Sequence, residues 1–353
     1  MDIQQLLNTV LVSKASDLHL LTDIAPMLRV DGDLAPVLGQ GPLGTDDLKN
    51  MMFSIMTEEQ KELFLANKEL DFSYAFENKA RFRVNVYFQK GTPASAFRLI
   101  PMKIPTISEL NLPEICHTFG QLKQGFVLVT GPTGHGKSTT LASIINEINR
   151  NRKTHIVTIE DPIEYVFTPN ISIISQREMH LDTHSWDLAL KSVLREDPDV
   201  VLVGEMRDYE TIQAALTVAE TGHLVFATLH TNSASQTIDR IVGVFPEEQQ
   251  QQVKHQLAST IEGVISQRLI PLRNGGRIPA VEILTGIPSV KTVIREGKTH
   301  LIDNIIQTSG ELGMISIDKS LAKLVLAGKI DKDMALTYSN RPEEFISFLR
   351  DKK

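Results

Sequence analysis

The spacing of apolar residues divides this chain into two stretches with different rhythms. Up to about residue 98, short helical and strand patterns are mixed. Ile3, Leu6, Leu7 and Val10 fall on one face of a helix. Asp17-Leu18-His19-Leu20 and Met27-Leu28-Arg29-Val30 read as strands, with Asp31-Gly32-Asp33 as the turn from the second into the next strand. Thr45-Asp46-Asp47 opens a helix whose apolar face is Leu48, Met51, Met52 and Ile55. Thr57-Glu58-Glu59-Gln60 has capping-box spacing for a third helix. Residues 81–88 then alternate strictly, with Phe82, Val84, Val86 and Phe88 on one side and Arg81, Arg83, Asn85 and Tyr87 on the other.

From about residue 106 the pattern becomes strand, helix, strand. An apolar run, Gly125-Phe126-Val127-Leu128-Val129-Thr130, precedes a helix with Leu141, Ile144, Ile145 and Ile148 on one face. Residues 155–159 are the next strand. Thr183 is expected to cap a helix through Trp186, Leu190, Val193 and Leu194. Residues 200–203 read as a buried parallel-type strand, and a helix through Ile212, Ala215, Leu216 and Ala219 stops at Gly222 before a strand over 223–230. Residues 247–269 carry Val253, Leu257, Ile261, Val264 and Ile265 at helical spacing and read as one amphipathic helix. Asn274-Gly275-Gly276 marks a hairpin turn before the strand 278–284, and short helices follow through Ile294, Ile305 and Leu321. The pattern predicts an α/β fold with a parallel sheet covered on both faces. The expected domains are 1–98 and 113–353, joined by a linker over 99–112 that contains Pro101 and Pro105. The second ends in a helical subdomain from about residue 247.

Between the first strand and helix of the second domain stands Gly131-Pro132-Thr133-Gly134-His135-Gly136-Lys137-Ser138, a complete G-x-x-x-x-G-K-[ST] loop. Gly131, Gly134 and Gly136 let the backbone turn its N–H groups toward a phosphate chain, and the new helix adds its positive end. Lys137 reaches β- and γ-phosphates, and the Ser138 hydroxyl can ligate Mg²⁺. With Thr133, His135 and Thr139 these residues form the expected nucleotide site.

Ligands of such sheets gather at the carboxyl ends of the strands, where Glu164, Glu205 and His230 fall. Phosphoryl transfer needs an acceptor that orients water and carboxylates that fix Mg²⁺ directly or through its waters. Glu160, Asp161 and Glu164 follow one strand. Glu205 ends another, with Gly204 where an Asp is usual. His223 and His230 bracket a third strand, either as groups that sense the γ-phosphate or link it to a neighbouring chain, or as satisfied polar groups of the sheet; strand length speaks against a shared metal. Two readings likewise stand for Arg81, Arg83 and Arg98, a solvated strand face or phosphate-sensing side chains.

Composition narrows the classes. Hydrophobic residues make up 42% and charged residues 22%, the balance of a folded globular protein. A net charge of -7 without a Lys/Arg run gives a nucleic-acid partner no electrostatic support. The lone Cys116 excludes an intramolecular disulfide. The start, Met1-Asp2-Ile3-Gln4-Gln5, lacks signal-peptide regions and no apolar run is long enough to span a bilayer, so a soluble cytoplasmic protein is expected.

The phosphate loop, Ile159-Glu160-Asp161-Pro162-Ile163-Glu164, Gly204-Glu205-Met206-Arg207-Asp208 and the stretch from Thr221-Gly222-His223 to His230-Thr231 together resemble the secretion ATPase superfamily. In order they look like its Walker A, Asp box, Walker B and His box. Ala15-Ser16-Asp17-Leu18-His19-Leu20, Val244-Phe245-Pro246 and Val293-Ile294-Arg295-Glu296-Gly297 are similar to its PilT-like branch, the type IV pilus retraction ATPases. The resemblance implies a homo-hexameric ring with a PAS-like N-terminal domain and a RecA-like P-loop domain, ATP lying between them. It implies Glu164 as the base on water, Glu205 serving Mg²⁺, and N-terminal arginines, Arg81 and Arg98 among them, contacting the nucleotide. It further implies pilin removal at an inner-membrane platform protein, on the inner face of the cytoplasmic membrane, with the 294–296 segment needed for retraction rather than hydrolysis. His135 departs from the Ser usual in the loop, and Ala227 from a common Gly. Pilus extension, a companion retraction ATPase, DNA uptake, type II secretion and a non-hydrolysing regulatory ring stay open beside retraction. The lack of a tetracysteine module argues against extension, and the intact Glu164 and Glu205 against the non-hydrolysing ring.

Overall fold

The computed structural model describes residues 2–350 except 31, 78, 101 and 102. Asp31 of the expected turn and Pro101-Met102 of the expected linker therefore lie outside the described residues. The chain divides into two compact units. One holds the residues up to Lys103 together with Asp161–Val166; the other holds Ile104–Glu160 and Phe167 onward.

The N-terminal unit contains α1 (Ile3–Val12), β1 (Asp17–Leu21), β2 (Met27–Val30), β3 (Asp33–Pro36), α2 (Thr45–Phe53), α3 (Glu58–Asn67), β4 (Glu69–Phe76), β5 (Ala80–Gln89) and β6 (Thr92–Ile100). The strands form one antiparallel sheet in the order β3-β2-β1-β6-β5-β4. Both halves of the Thr57/Gln60 capping box form, so α3 starts where the sequence places it. The alternation of β5 puts Phe82, Val84 and Val86 into a core with Leu6, Leu7, Leu18 and Phe97, and leaves the arginines on the other face.

The larger unit begins with α4 (Ile115–Gln121), β7 (Gly125–Thr130), α5 (Lys137–Asn151), β8 (His155–Glu160) and β9 (Ile173–Glu178). It continues with α6 (Trp186–Val193), β10 (Val200–Val203), α7 (Tyr209–Glu220), β11 (Leu224–Leu229), α8 (Ala234–Gly243), α9 (Glu247–Thr260), β12 (Ile261–Pro271) and β13 (Arg277–Thr285). It ends in α10 (Pro288–Arg295), α11 (Ile302–Thr308), α12 (Ile317–Leu326), α13 (Lys332–Tyr338) and α14 (Pro342–Arg350). The sheet order is β13-β12-β7-β11-β10-β8-β9, parallel from β12 to β9 with β13 antiparallel at one edge. Strands β7, β10 and β11 are buried along their whole length, which is why they read as unbroken apolar runs. A smaller core of Ile270, Ile278, Ile317, Leu321 and Phe345 holds α12 to α14 on the β12–β13 hairpin.

Two expected elements differ. Residues 247–269 are not one helix: α9 stops at Thr260 and the chain continues as β12. The apolar residues after 260 fit either period, and burial between β7 and β13 decides for the strand. The cap of α6 is Ser185, whose side chain accepts the Leu188 N–H at 3.2 Å, rather than Thr183. Thr183 instead bridges to Met179. No helix among the described residues is long and apolar enough to cross a membrane.

Candidate nucleotide-binding site

The register of β7, β11, β10 and β8 brings their carboxyl ends level, and the turns that follow carry the site. After β7, Gly131, Gly134 and Gly136 all take positive φ and fold the phosphate loop back onto α5. No side chain caps α5, so the amides of its first turn face the loop, with the half-buried Ser138 and Thr139 among them. Lys137 Nζ donates to Gly131 O at 2.8 Å and Pro132 O at 3.2 Å, which holds the ammonium across the loop.

The β10 turn supplies Glu205. Thr228 Oγ1 donates to Gly204 O at 2.5 Å, and the Met206 N–H donates to Thr228 O at 3.1 Å, so the turn is tied to β11 on both sides of the acid. Glu205 Oε1 lies 2.9 Å from His230 Nε2, and Arg207 donates to Oε2 at 2.8 Å. Burial raises the Glu205 pKa, but the bond and charge of Arg207, with His230 and Lys137, outweigh it and hold the carboxyl below the usual carboxylate range. The other ring nitrogen of His230, Nδ1, lies 3.2 Å from the Thr133 hydroxyl in the phosphate loop. Glu205, His230 and Thr133 thus form one run of polar contacts from β10 through β11 to the loop.

His135 does not extend into that run. Its Nδ1 accepts the Leu269 N–H at 3.0 Å, a donor of β12 beyond the end of its ladder with β7, and its carbonyl accepts Gln267 Nε2 at 2.8 Å. Gln267 Oε1 in turn accepts the Thr140 hydroxyl at 2.7 Å, and Arg277 donates to Gly134 O at 3.3 Å. Gln267 and Arg277 were invisible as site residues in the sequence, because the first sat in an expected helix and the second in a hairpin flank. Both line a cavity of about 350 Å³ beside Gly136, Thr139 and Leu269. Burial, then the charges of Arg277, Lys137 and Arg268, hold the His135 imidazole below its ordinary pKa.

The other candidates have different surroundings. Glu160 is 8% exposed and its carboxylate accepts Thr158 Oγ1 at 2.7 Å and Gln176 Nε2 at 3.2 Å, within the sheet. His223 stands at the amino end of β11, bonded to Thr221 Oγ1 at 3.0 Å and Val218 O at 3.1 Å, away from the strand ends that carry the loop. Among the described residues no three His, Cys, Asp or Glu are placed to hold a metal by themselves. Within the N-terminal unit, Arg83 lies 3.8 Å from Glu164 and 3.9 Å from Asp71. Arg81 donates to Ser73 Oγ, and Arg98 pairs with Asp17 across the β1–β6 ladder at 2.9 Å.

A central strand, a glycine-rich loop and an uncapped helix, flanked by an ionised acid and a histidine on neighbouring strand ends, define a P-loop nucleotide-binding protein. The chain belongs to the type II/IV secretion system protein family, whose model matches residues 1–276. It is 46% identical to the type IV pilus retraction ATPase PilT of Pseudomonas aeruginosa, over 98% of this chain and 100% of that relative. It is also 46% identical to the twitching motility protein of Neisseria gonorrhoeae, over 94% of this chain and 89% of the relative. The crystal structure of the pilus retraction motor PilT with bound ADP matches with a TM-score of 0.91 at 42% identity, covering 98% of each chain.

Proposed function

We propose that this chain is an ATP-hydrolysing motor that powers type IV pilus retraction, removing pilin at the pilus base and so driving twitching motility. The observation that carries the reading is the run of contacts Thr133–His230–Glu205, which links the phosphate loop across the end of β11 to the acid at the end of β10. Similarity to a retraction ATPase over nearly the full length of both chains supports it.

ATP is the substrate. Lys137 and the first-turn amides of α5 bind its β- and γ-phosphates, and His230, held between Glu205 and Thr133, stands ready to report on the γ-phosphate. The Ser138 hydroxyl and the ionised Glu205 are hard oxygen donors that fit Mg²⁺, directly or through its waters. Magnesium, when bound, neutralises charge on the transferring phosphoryl oxygens. We assign Glu164, in the stretch that resembles the family's Asp box, as the base that orients water, and Arg81 and Arg98 of the N-terminal sheet as contacts to the nucleotide, as the resemblance to the family implies.

The working form in this reading is a homo-hexamer in the cytoplasm, at the inner face of the cytoplasmic membrane, acting on the pilus platform protein and not on nucleic acid. Purified protein should hydrolyse ATP only with Mg²⁺ and should give a hexamer by light scattering on adding nucleotide. Absent or Mg²⁺-independent hydrolysis, or a strict monomer under every nucleotide condition, overturns the reading.

A further inference from the structure

Behind the loop that carries His230 lies a buried acid that the hydrolytic site does not use. β13 sets Glu282 there, 6% exposed, and its Oε1 accepts the Ala234 N–H at 2.8 Å. Ala234 opens α8, and its N–H is one of the donors that a helix start leaves without an intrahelical partner. The Ser233 cap serves Gln236 instead, at 3.3 Å, and the Ala234 donor is met from a strand 48 residues further along the chain.

Only Thr231, Asn232 and Ser233 separate Ala234 from His230, and all three are tied to the first turns of α8. Thr231 Oγ1 lies 2.7 Å from Thr237 Oγ1, the Asn232 N–H donates to Gln236 Oε1 at 3.3 Å, and Thr237 Oγ1 donates to Ser233 O at 2.7 Å. So short a connection, bonded at each residue, passes a shift in the start of α8 on to the histidine.

The charged groups around Glu282 come from every element packed on it. They are Arg268 of β12, Asp303 of α11, Asp318 of α12, and Arg341 and Glu344 at the start of α14, all lining one polar cavity of about 370 Å³. On α8 itself, Asp239 and Arg240 are exposed. The arginines direct their donors elsewhere: Arg341 to Asp303 at 2.6 Å and Glu344 at 3.0 Å, Arg268 to Asn340 at 2.8 Å and to Tyr338 O. Burial therefore dominates and pushes the Glu282 carboxyl up to about 7, with the Ala234 N–H lowering it, Asp303 raising it, Arg268 lowering it and Asp318 raising it.

We propose that Glu282 is a positioning residue for His230: its carboxyl pins the first residue of α8, and through it the loop that sets His230 against Glu205 and Thr133. The inference rests on the reading of His230 as part of the hydrolytic site. An ionised carboxylate at a helix N-terminus accepts a stronger bond than the neutral acid does, so the pin tightens as pH rises through about 7.

The test is steady-state ATPase kinetics of the full chain across neutral pH, for Glu282→Ala and Glu282→Gln, each with and without His230→Ala. Glu282→Ala should lower kcat about tenfold with KM for ATP within about twofold, the pattern of a group that acts on turnover rather than on binding. Glu282→Gln keeps an acceptor for the Ala234 N–H, so it should restore most of kcat and remove the inflection near 7. In the His230→Ala background neither variant should lower kcat further. Equal losses with and without His230, or an inflection that survives in Glu282→Gln, overturn the proposal. Should the alanine variant fail to fold, the glutamine comparison decides alone. If His230→Ala itself turns over like the parent, the reading of His230 falls and this inference with it. If His230→Ala is slow while the Glu282 variants match the parent, this inference alone falls.

Discussion

Substituting Gly131 by alanine tests the phosphate loop with a magnitude that follows from its packing. Gly131 has φ +142, and a Cβ there would sit 2.2 Å from the Gln267 carbonyl oxygen. Ordinary contact distances are about 3.5 Å, so loop or strand must yield by about 1 Å. The conformation itself costs about 1–3 kcal/mol for a residue with a side chain. A loop displaced that far forfeits a charge-assisted hydrogen bond to the phosphates, about 3 kcal/mol, so nucleotide affinity should fall about 10²-fold. Gly134 is the control within the same loop: its φ is +77, but no atom lies within 4 Å of the added Cβ. Gly134→Ala should bear only the conformational cost, about 1 kcal/mol or about fivefold. Titration of each variant with a fluorescent ATP analogue, alongside a thermal melt to establish folding, gives the two dissociation constants. A folded Gly131→Ala that binds within about twofold of the parent, or a Gly134→Ala that binds more weakly than Gly131→Ala, would show that the close approach to Gln267 does not set the loop.

Lys137→Ala removes an ammonium held 2.8 Å from Gly131 O, and should weaken ATP binding by at least about tenfold, the scale of one lost charged hydrogen bond; unchanged affinity sinks the assignment of the loop. Glu164→Gln should keep ATP and Mg²⁺ binding and lower turnover about 10²-fold, the scale of a lost general base, whereas Glu205→Gln should also shift the Mg²⁺ dependence; the reverse pattern in ATPase rate against Mg²⁺ exchanges their roles. His135 is held below its ordinary 6.5, so the neutral ring that accepts the Leu269 N–H contributes fully above that value, and its contribution is lost as pH falls through the folded-state value. His135→Asn offers an acceptor that does not titrate and should flatten the acid-side loss of melting temperature; identical pH profiles contradict this.

What the sequence disclosed and what it hid divide along a physical line. Where one segment satisfies its own requirements, the pattern was enough. The Thr57/Gln60 box closes within a turn, β5 alternates because one face is buried, and the phosphate loop carries its strand and helix on either side. Elements made by distant partners were hidden. β12 has an apolar spacing that also fits a helix, and only its place between β7 and β13 makes it a strand. β9 lies at the sheet edge, is largely exposed or half-buried, and so lacks the unbroken apolar run of its neighbours. In the site, Glu205, His230 and the loop glycines stood in recognisable motifs. The Leu269 amide that fixes His135 is 134 residues away and Gln267 is 132 away, and no local pattern encodes such a meeting.

ATP hydrolysis by this chain is expected to retract pili, and counting surface pili in cells that lack its gene tests this most directly. A retraction motor predicts an excess of non-retracting pili and loss of twitching, both reversed by the parent chain and not by Glu205→Gln. Bald cells, or normal pili that still retract, would contradict the account.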